Sequence, residues 1–157
     1  MLFSFYFFYF FVFFVVPVSA VSLPRSAVVE KVIDGDTVRL STGQLVRYIG
    51  VDTPEVRHRV GDRWVYAPEP YAEKAMAFNK QLVEGKTVHL EWDETEQADR
   101  HGRLLAYLFV GNTFVNQTLL DKGLARLYCR QKKYCLLFAS TEAAAKLAQR
   151  GIWSRAR

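Results

Sequence analysis

The stretch VRYIGVDTPE, residues 46–55, is the segment around which the chain is organised. Its first six residues are mostly apolar or β-branched, which predicts a strand, and a proline ends that strand between Asp52 and Glu55. A strand end is rigid, so it can aim Asp52, the Thr53 carbonyl and Glu55 into one cleft, and Arg47 can reach the same cleft. Oxygen ligands suit a hard cation, a guanidinium matches phosphate geometry, and a spare carboxylate can activate water. In isolation such a stretch is usually a solvated strand end, so the rest of the chain decides between the two interpretations.

The first 24 residues are almost wholly apolar and contain no charged side chain. Their length is about that of a bilayer span, while Val18-Ser19-Ala20 has small residues at the spacing that a signal peptidase prefers. We expect residues 1–24 to be a signal peptide cleaved after Ala20, or alternatively an N-terminal membrane anchor that tethers the protein through residues 1–20. The folded domain then comprises residues 25–157. It is secreted or periplasmic, or anchored in the membrane with the domain exported, and we expect it to be a monomer.

The charged residues all lie in the folded part of the chain. The sequence has 21 Lys and Arg against 16 Asp and Glu, a net charge of +5, and every one of them follows residue 24. A basic domain attracts polyanions, although a soluble basic protein without a polyanionic partner has the same composition. Cys129 and Cys135 are the only two cysteines. In an exported protein such a pair can form a disulfide; two free thiols are the alternative, and the spacing matches no standard zinc site.

Hydrophobic periodicity predicts a mixed α+β chain. Strands are predicted over residues 27–33, 38–40, 45–51, 87–92 and 104–110. Helices are predicted over residues 70–84, 115–122 and 141–150. The segment 56–69 mixes arginine, histidine, glycine and proline, which predicts a long mobile loop. A helix between the third and fourth of five strands is the OB arrangement, so we predict a five-stranded OB-fold β-barrel with three α-helices, a fold that commonly binds nucleic acid or sugars.

Separated motifs in this order resemble the staphylococcal nuclease (thermonuclease) family. They are IDGDTVRL at 33–40, VRYIGVDTPE at 46–55, DRHGRLLAYLF at 99–109, VNQTLLDKGLA at 115–125 and GIW at 151–153. The resemblance covers nearly the whole chain from Val28 to Ser154. It implies the OB barrel with three helices and a calcium-dependent hydrolase. Such an enzyme cleaves phosphodiester bonds in DNA and RNA, preferably single-stranded or denatured, and leaves 3′-phosphates.

The resemblance also assigns roles to individual residues. It implies that Ca²⁺ is held by Asp36, Asp52 and the backbone carbonyl of Thr53. It implies that the catalytic residues are Arg47, Glu55 and Arg103. Arg100, which can guide phosphate, and Tyr128 are our candidate substrate-binding residues. Mg²⁺ and Mn²⁺ also suit oxygen ligands, so the choice of calcium depends on the resemblance.

Two departures from the family bear on substrate binding. The segment 56–69 differs in sequence from the best-known member. Cys129 and Gln131 occupy the positions of its substrate-stacking tyrosines, for which Tyr128 or Tyr134 can substitute. The alternative function is therefore a catalytically inactive OB-fold module that binds single-stranded nucleic acid or a protein partner, because the family also contains inactive copies. That alternative leaves the complete set of acids and arginines without a role.

Overall fold

The computed structural model describes residues 23–93, 95–129 and 132–154. The predicted leader lies outside them except for its last two residues, so its cleavage and the boundary of the domain stay predictions. Within the described residues, no helix is both long enough and apolar enough to cross a bilayer.

The described chain forms ten strands and three helices. The strands are β1 (Ser26–Asp34), β2 (Thr37–Leu40), β3 (Leu45–Tyr48), β4 (Gly50–Asp52), β5 (Arg57–Val60), β6 (Arg63–Tyr66), β7 (Thr87–Trp92), β8 (Leu104–Val110), β9 (Thr113–Phe114) and β10 (Arg126–Tyr128). The helices are α1 (Ala72–Val83), α2 (Val115–Asp121) and α3 (Cys135–Leu147), followed by a 3-10 turn at Gly151–Trp153.

Five of the strands close into a barrel. They are ordered β3-β2-β1-β7-β8, each antiparallel to its neighbour, and a parallel pairing of β3 with β8 closes the ring. The closing register sets Val46 opposite Leu104 and Arg47 opposite Leu105. Helix α1 lies between the third and fourth barrel strands in chain order. The predicted α+β class is confirmed, and a closed five-stranded barrel with three helices is consistent with the OB fold.

The barrel interior is filled by alternate residues of its strands, as the period of two requires. Fully buried examples from all five strands are Val29, Val38, Val46, Leu90 and Leu108. Helix α1 closes one part of this core, where the Tyr48 hydroxyl donates a 2.9 Å hydrogen bond to Oδ1 of Asn79. Because both side chains are buried, the bond satisfies two polar groups and fixes the helix against β3.

Two predictions about residues 45–69 were wrong. The strand predicted over 45–51 is divided at Ile49, because Gly50 adopts a positive φ of 81° and a side chain there would come within 2.7 Å of the Phe138 ring. The segment 56–69 is not a structureless loop, since β5 and β6 pair as an antiparallel hairpin. The sequence of this segment does not predict a hairpin, because apolar and polar residues do not alternate along it.

The C-terminal part differs from expectation at two points. The last helix begins at Cys135, six residues before the predicted start, and ends at Leu147. Strand β10 was not predicted, and it pairs with β4 so that Tyr128 lies opposite Gly50. Cys129 and Cys135 form a disulfide with their Cα atoms 5.5 Å apart, which joins the end of β10 to the start of α3. The disulfide is the first of the two alternatives left open by the sequence.

Candidate active site

The deepest residue of the site is Asp36, in the tight turn between β1 and β2. Its carboxylate is completely buried. Oδ2 accepts a 2.9 Å hydrogen bond from the Thr53 amide, while Oδ1 accepts bonds from the Thr37 hydroxyl at 3.1 Å and from Nη1 of Arg47 at 2.6 Å. These donors come from three separate segments of the chain. Asp36 therefore fixes the end of β4 against the β1–β2 turn.

Arg47 joins the two acids predicted as metal ligands. Its Nη1 lies 2.6 Å from Asp36 and its Nη2 lies 2.5 Å from Oδ1 of Asp52. The β2–β3 register places Arg47 opposite Thr37, next to the turn. Burial lowers the pKa of Arg47, but the negative charges of Asp36 and Asp52 outweigh burial and raise it. The guanidinium is thus permanently charged, and its side chain keeps 15% of its surface exposed toward the neighbouring groove.

The residue between the two turn acids has a steric role. A side chain at Gly35 would bring its Cβ within 2.5 Å of Oγ1 and 2.7 Å of Cβ of Thr53. Real Cβ atoms do not come this close, so the glycine lets Thr53 lie directly on the turn. The close approach keeps the Thr53 backbone against the Asp36 carboxylate.

The acids of the site outnumber its one central guanidinium. Burial raises the pKa of Asp36 to about 6, against the opposing effects of Arg47 and the Thr53 amide. Burial also raises the pKa of Glu55, which is further raised by a hydrogen bond to the Asp34 carboxyl and by the charges of Asp34 and Asp36. With Asp52, the site has four carboxylates, and three of them, Asp36, Asp52 and Glu55, act on the charge of Arg47. The site has excess negative charge in the absence of a bound cation.

The donor set fits a hard cation. Within the described ranges, His, Cys, Asp and Glu side chains do not gather in threes as a metal cluster. The predicted ligands are, however, only two carboxylates, Asp36 and Asp52, with a backbone carbonyl. Oγ1 of Thr53 is buried beside them and has no hydrogen-bond partner in the described structure. A desolvated carboxylate, excess negative charge and an orphaned oxygen suit Ca²⁺, which takes oxygen ligands in flexible numbers.

A groove of about 900 Å³ opens beside this cluster. It brings together five of the eight residues predicted for the site, and they are Arg47, Asp52, Arg100, Arg103 and Tyr128. Asp36 and Thr53 are not part of the groove lining, but Asp36 contacts Arg47, which is, and accepts a hydrogen bond from the Thr53 amide. Glu55 is not in the groove lining, but it lies close enough to Asp34, Asp36 and Arg47 for their charges to change its pKa.

Arg103 is held in place by an acid of its own turn. Its Nε donates to Oδ2 of Asp99 at 2.7 Å, and its backbone amide donates to Oδ1 at 3.0 Å. Burial raises the pKa of Asp99, but these hydrogen bonds outweigh burial and keep that pKa below its ordinary value. Since Arg103 immediately precedes β8, the parallel β3–β8 pairing fixes it on the groove side near Arg47. Arg100 in the same turn is exposed and donates to His101.

The structure separates the two tyrosines proposed as stacking residues. Tyr128 is 72% exposed and lines the groove. Tyr134 instead packs edge-on against Tyr107, with ring centroids 4.8 Å apart, and its hydroxyl donates to Glu91. Tyr128 is therefore the accessible aromatic of the pair. Gln131 lies outside the described residues.

Several supporting residues were not found from the sequence. Asn116, buried in α2, accepts from the Leu108 amide and donates to the Ile49 carbonyl, so it holds the chain where β3 passes into β4. Lys132 lines the groove and binds Asp93 at 2.9 Å. Their partners are distant in sequence, so no local spacing indicates them. The only signal for Asn116 is a polar residue on an otherwise apolar helix face.

Comparison with known proteins identifies the family of the chain. The family described as "Staphylococcal nuclease homologue" matches residues 45–155. The chain is 36% identical over 132 residues to the SPbeta prophage-derived endonuclease YokF of Bacillus subtilis, a match that covers 80% of this chain and 43% of YokF. It is 37% identical over 136 residues to endonuclease YncB of the same organism, covering 83% of this chain and 62% of YncB.

A third relative is matched over more of its own length. The thermonuclease of Staphylococcus intermedius is 37% identical over 136 residues, covering 83% of this chain and 77% of that protein. The chain thus spans between about two fifths and about three quarters of these relatives. With the family match extending over most of the described domain, and with an acid and arginine cluster at the end of the third barrel strand, the chain belongs to the staphylococcal nuclease family.

Proposed function

We propose that the protein is a calcium-dependent nuclease that hydrolyses phosphodiester bonds in DNA and RNA and leaves 3′-phosphates. One observation carries the proposal: buried Asp36 and half-exposed Asp52 share Arg47 at the edge of a groove lined by further arginines. Relatives named endonuclease and thermonuclease support the reaction class. An inactive binding module would have no need of this charge cluster, which burial makes costly.

Asp36, Asp52 and the Thr53 carbonyl are the residues that would hold the cation. When bound, Ca²⁺ supplies Lewis-acid stabilisation of a phosphate oxygen. The protein's own contribution is to keep two carboxylates close together in a site where water cannot solvate Asp36. Arg47 and the Thr53 amide orient the Asp36 carboxylate through hydrogen bonds to both of its oxygens.

Arg47 and Arg103 would bind the phosphate that is attacked. A phosphodiester resists hydrolysis because its charge repels nucleophiles and because the transition state gathers more charge, so fixed donors lower the barrier. Both guanidiniums line the same groove and both are held by carboxylates, Arg47 by Asp36 and Asp52 and Arg103 by Asp99. Their planar forks can each donate two hydrogen bonds to phosphate oxygens.

Glu55 would accept the proton of the attacking water. Its surroundings are suited to this task, because burial and the neighbouring acids raise its pKa above that of an ordinary glutamate. A base whose pKa lies nearer to neutrality takes up a proton more readily in the transition state. Arg47 works in the opposite direction and favours the charged form, the form that Glu55 must have to accept a proton.

Arg100 and exposed Tyr128 are the proposed contacts to the rest of the substrate. A solvent-facing tyrosine can stack on an unpaired base, and Arg100 can bind a phosphate of the backbone. Stacking requires a base that is free of its partner strand. This supports a preference for single-stranded or denatured nucleic acid and requires only a monomer.

We also propose that the domain works outside the cytoplasm, as a secreted or periplasmic protein or on a membrane tether formed by residues 1–20. The Cys129–Cys135 disulfide supports export, because such bonds persist in oxidising compartments. The mass of the mature protein distinguishes the forms: a start at Val21 indicates a cleaved signal peptide, and an intact leader indicates the anchor.

Two substitutions separate the nuclease from a binding module. Glu55→Gln and Arg103→Ala should each abolish most turnover of denatured DNA while an oligonucleotide still binds. Exposed Glu30 and Arg39 lie outside the groove, so Glu30→Gln and Arg39→Ala are the matched controls and should keep full turnover. A parent protein that binds but does not cleave would replace the enzyme with the inactive module.

A further inference from the structure

The β5–β6 hairpin, Arg57 to Tyr66, has two different faces. The register sets Arg57 opposite Tyr66 and Arg59 opposite Trp64. Because side chains alternate along a strand, these four residues share one face, which we call the aromatic face. The opposite face has His58, Val60, Arg63 and Val65. The aromatic face is thus a square of two arginines and two aromatic rings in which each ring lies opposite an arginine.

The aromatic face is open to solvent. Trp64 is 69% exposed and Tyr66 is 57% exposed, whereas large aromatic residues are usually buried. Arg59 is 65% exposed at its side chain, and the ion pair that it makes with fully exposed Asp62 is weak in water. The Tyr66 hydroxyl donates to Glu73 in the first turn of α1, which fixes the ring to the domain. None of these side chains belongs to the hydrophobic core.

The base of the hairpin is joined directly to the candidate active site. The Glu69 amide donates to the Glu55 carbonyl at 3.0 Å, and the Ala67 amide donates to the Val56 carbonyl at 3.2 Å. At the usual rise of about 3.3 Å per residue, the Arg57–Tyr66 pair lies about 7 Å beyond Glu55 and the Arg59–Trp64 pair about 13 Å beyond it. A strand of substrate that leaves the site along the hairpin passes both pairs.

We propose that the aromatic face binds a single-stranded part of the substrate next to the phosphodiester that is cleaved. Bases stack on Tyr66 and Trp64, while Arg57 and Arg59 contact the phosphates between them. This proposal rests on the proposed nuclease function and adds a binding site for the substrate flank. Interleaved rings and guanidiniums match the two components of a single strand, its unpaired bases and its charged backbone.

Binding of oligonucleotides tests the stacking part. The full chain is titrated, with a chelator to prevent cleavage, into a labelled oligothymidylate of about 12 nucleotides and into an abasic chain of the same length. The change Trp64→Leu with Tyr66→Leu should weaken binding of the oligothymidylate about tenfold or more and leave abasic binding within about twofold. Val60→Ala with Val65→Ala, on the opposite face of the same hairpin, is the matched control and should change neither.

Salt dependence tests the arginine part. Each phosphate contact to a single strand contributes about 0.7 to the slope of log K against log salt concentration. Arg59→Gln should lower the slope by about that amount, whereas Arg63→Gln, which removes the same charge from the opposite face, should leave it almost unchanged. Equal effects of the two substitutions would show only general attraction and would overturn the arginine contact.

Two readouts keep the test valid if the double leucine variant folds poorly. Trp64→Phe with Tyr66→Phe keeps both rings and should restore the affinity of the parent. In the unmodified chain, oligothymidylate should quench tryptophan fluorescence, and Trp64→Phe should remove that quenching while Trp92 and Trp153 remain. A folded chain that binds the oligonucleotide without any quenching contradicts stacking on Trp64.

The remaining outcomes are distinguishable from failure of the nuclease proposal. Unchanged oligothymidylate affinity in the double leucine variant, or an equal loss for the abasic chain, overturns the inference. So does a variant that loses binding only to vesicles of anionic lipid, since the aromatic face would then be a membrane contact. If the parent never cleaves but the double leucine variant binds oligothymidylate more weakly, the hairpin site is supported and the nuclease proposal is refuted. If the parent cleaves and the hairpin variants bind as the parent does, the nuclease proposal is supported and the hairpin site is refuted.

Discussion

The substitution Arg47→Lys separates the geometry of Arg47 from its charge. The guanidinium contacts two carboxylates through two different nitrogens, Asp36 at 2.6 Å and Asp52 at 2.5 Å. Lysine keeps the positive charge but has one compact ammonium group at the end of a flexible stem. It can neutralise buried Asp36, but it cannot bridge both acids while offering a fork to phosphate.

The expected magnitude follows from these contacts. Loss of a fixed donor to a developing negative charge costs about 100-fold to 1,000-fold in kcat, or about 3 to 4 kcal/mol. Removal of one partner from a buried ion pair costs about 3 to 5 kcal/mol of stability, so Arg47→Ala would confound catalysis with unfolding. Since lysine retains the charge next to Asp36, we expect Arg47→Lys to lose about 100-fold in kcat and less than about 2 kcal/mol of stability.

The assay compares initial rates of cleavage of denatured DNA and free energies of unfolding in urea for parent and variant. Arg39→Lys is the matched control, because Arg39 is exposed on the neighbouring strand β2 and lies outside the groove. It should change neither quantity. A kcat for Arg47→Lys within about threefold of the parent would show that a single positive charge is enough for catalysis. It would refute the claim that the guanidinium must contact both carboxylates and the phosphate.

Three further substitutions or treatments test the supporting structure. Gly35→Ala would place a Cβ 2.5 Å from Oγ1 of Thr53, so we expect a loss of about 1 to 3 kcal/mol in urea unfolding together with lower cleavage; unchanged values would contradict the close approach. Burial raises the pKa of Asp93, but hydrogen bonds from neighbouring donors outweigh burial and hold that pKa well below its ordinary value of 3.8. The ionised carboxylate therefore stabilises the fold fully above about pH 3.8, and this stabilisation is lost as the pH falls further. Asp93→Asn should therefore lower stability at neutral pH and flatten its decline between about pH 4 and pH 2, as followed by circular dichroism. Reduction of Cys129–Cys135 should lower the free energy of unfolding by about 2 kcal/mol, and the double serine variant should show no response to reductant.

Barrel strands and two of the helices were predictable because their signals are local. Val38 and Leu40 point inward from a strand whose intervening residue, Arg39, is exposed, so period two is visible in the sequence. Helix α1 was predicted within two residues at each end, because apolar residues recur at helical spacing and Gly85 follows with a positive φ of 75°.

Features determined by distant contacts were not predictable. Gly50 divides a continuous apolar run because the Phe138 ring, far along the chain, occupies the space of a side chain. The hairpin has exposed strands, so burial imposes no alternation of apolar and polar residues on it. Helix α3 begins at Cys135, where the disulfide joins it to the end of β10, and a pair of cysteines does not reveal its own pairing from sequence.

The sequence indicated that the acids at the end of one strand lie close together, but it indicated less clearly which arginines lie beside them. Asp52 and Thr53 are adjacent in the sequence, and their position after an apolar run indicated a common platform. Arg103 reaches the same groove as Arg47 only because β3 and β8 pair in parallel to close the barrel. The raised pKa of Glu55 depends on its burial and on its contact with Asp34, which no spacing in the sequence indicates.

The most direct test of the account is cleavage of denatured DNA and RNA by the purified protein with Ca²⁺, with Mg²⁺ and with a chelator, repeated for Asp52→Asn. Asp52 is half-exposed, so its amide variant should fold as the parent does. The account predicts cleavage that Ca²⁺ alone restores after chelation, products that end in 3′-phosphates, and a much higher calcium requirement for Asp52→Asn. Cleavage that persists in chelator, or a calcium requirement that the substitution leaves unchanged, would contradict it.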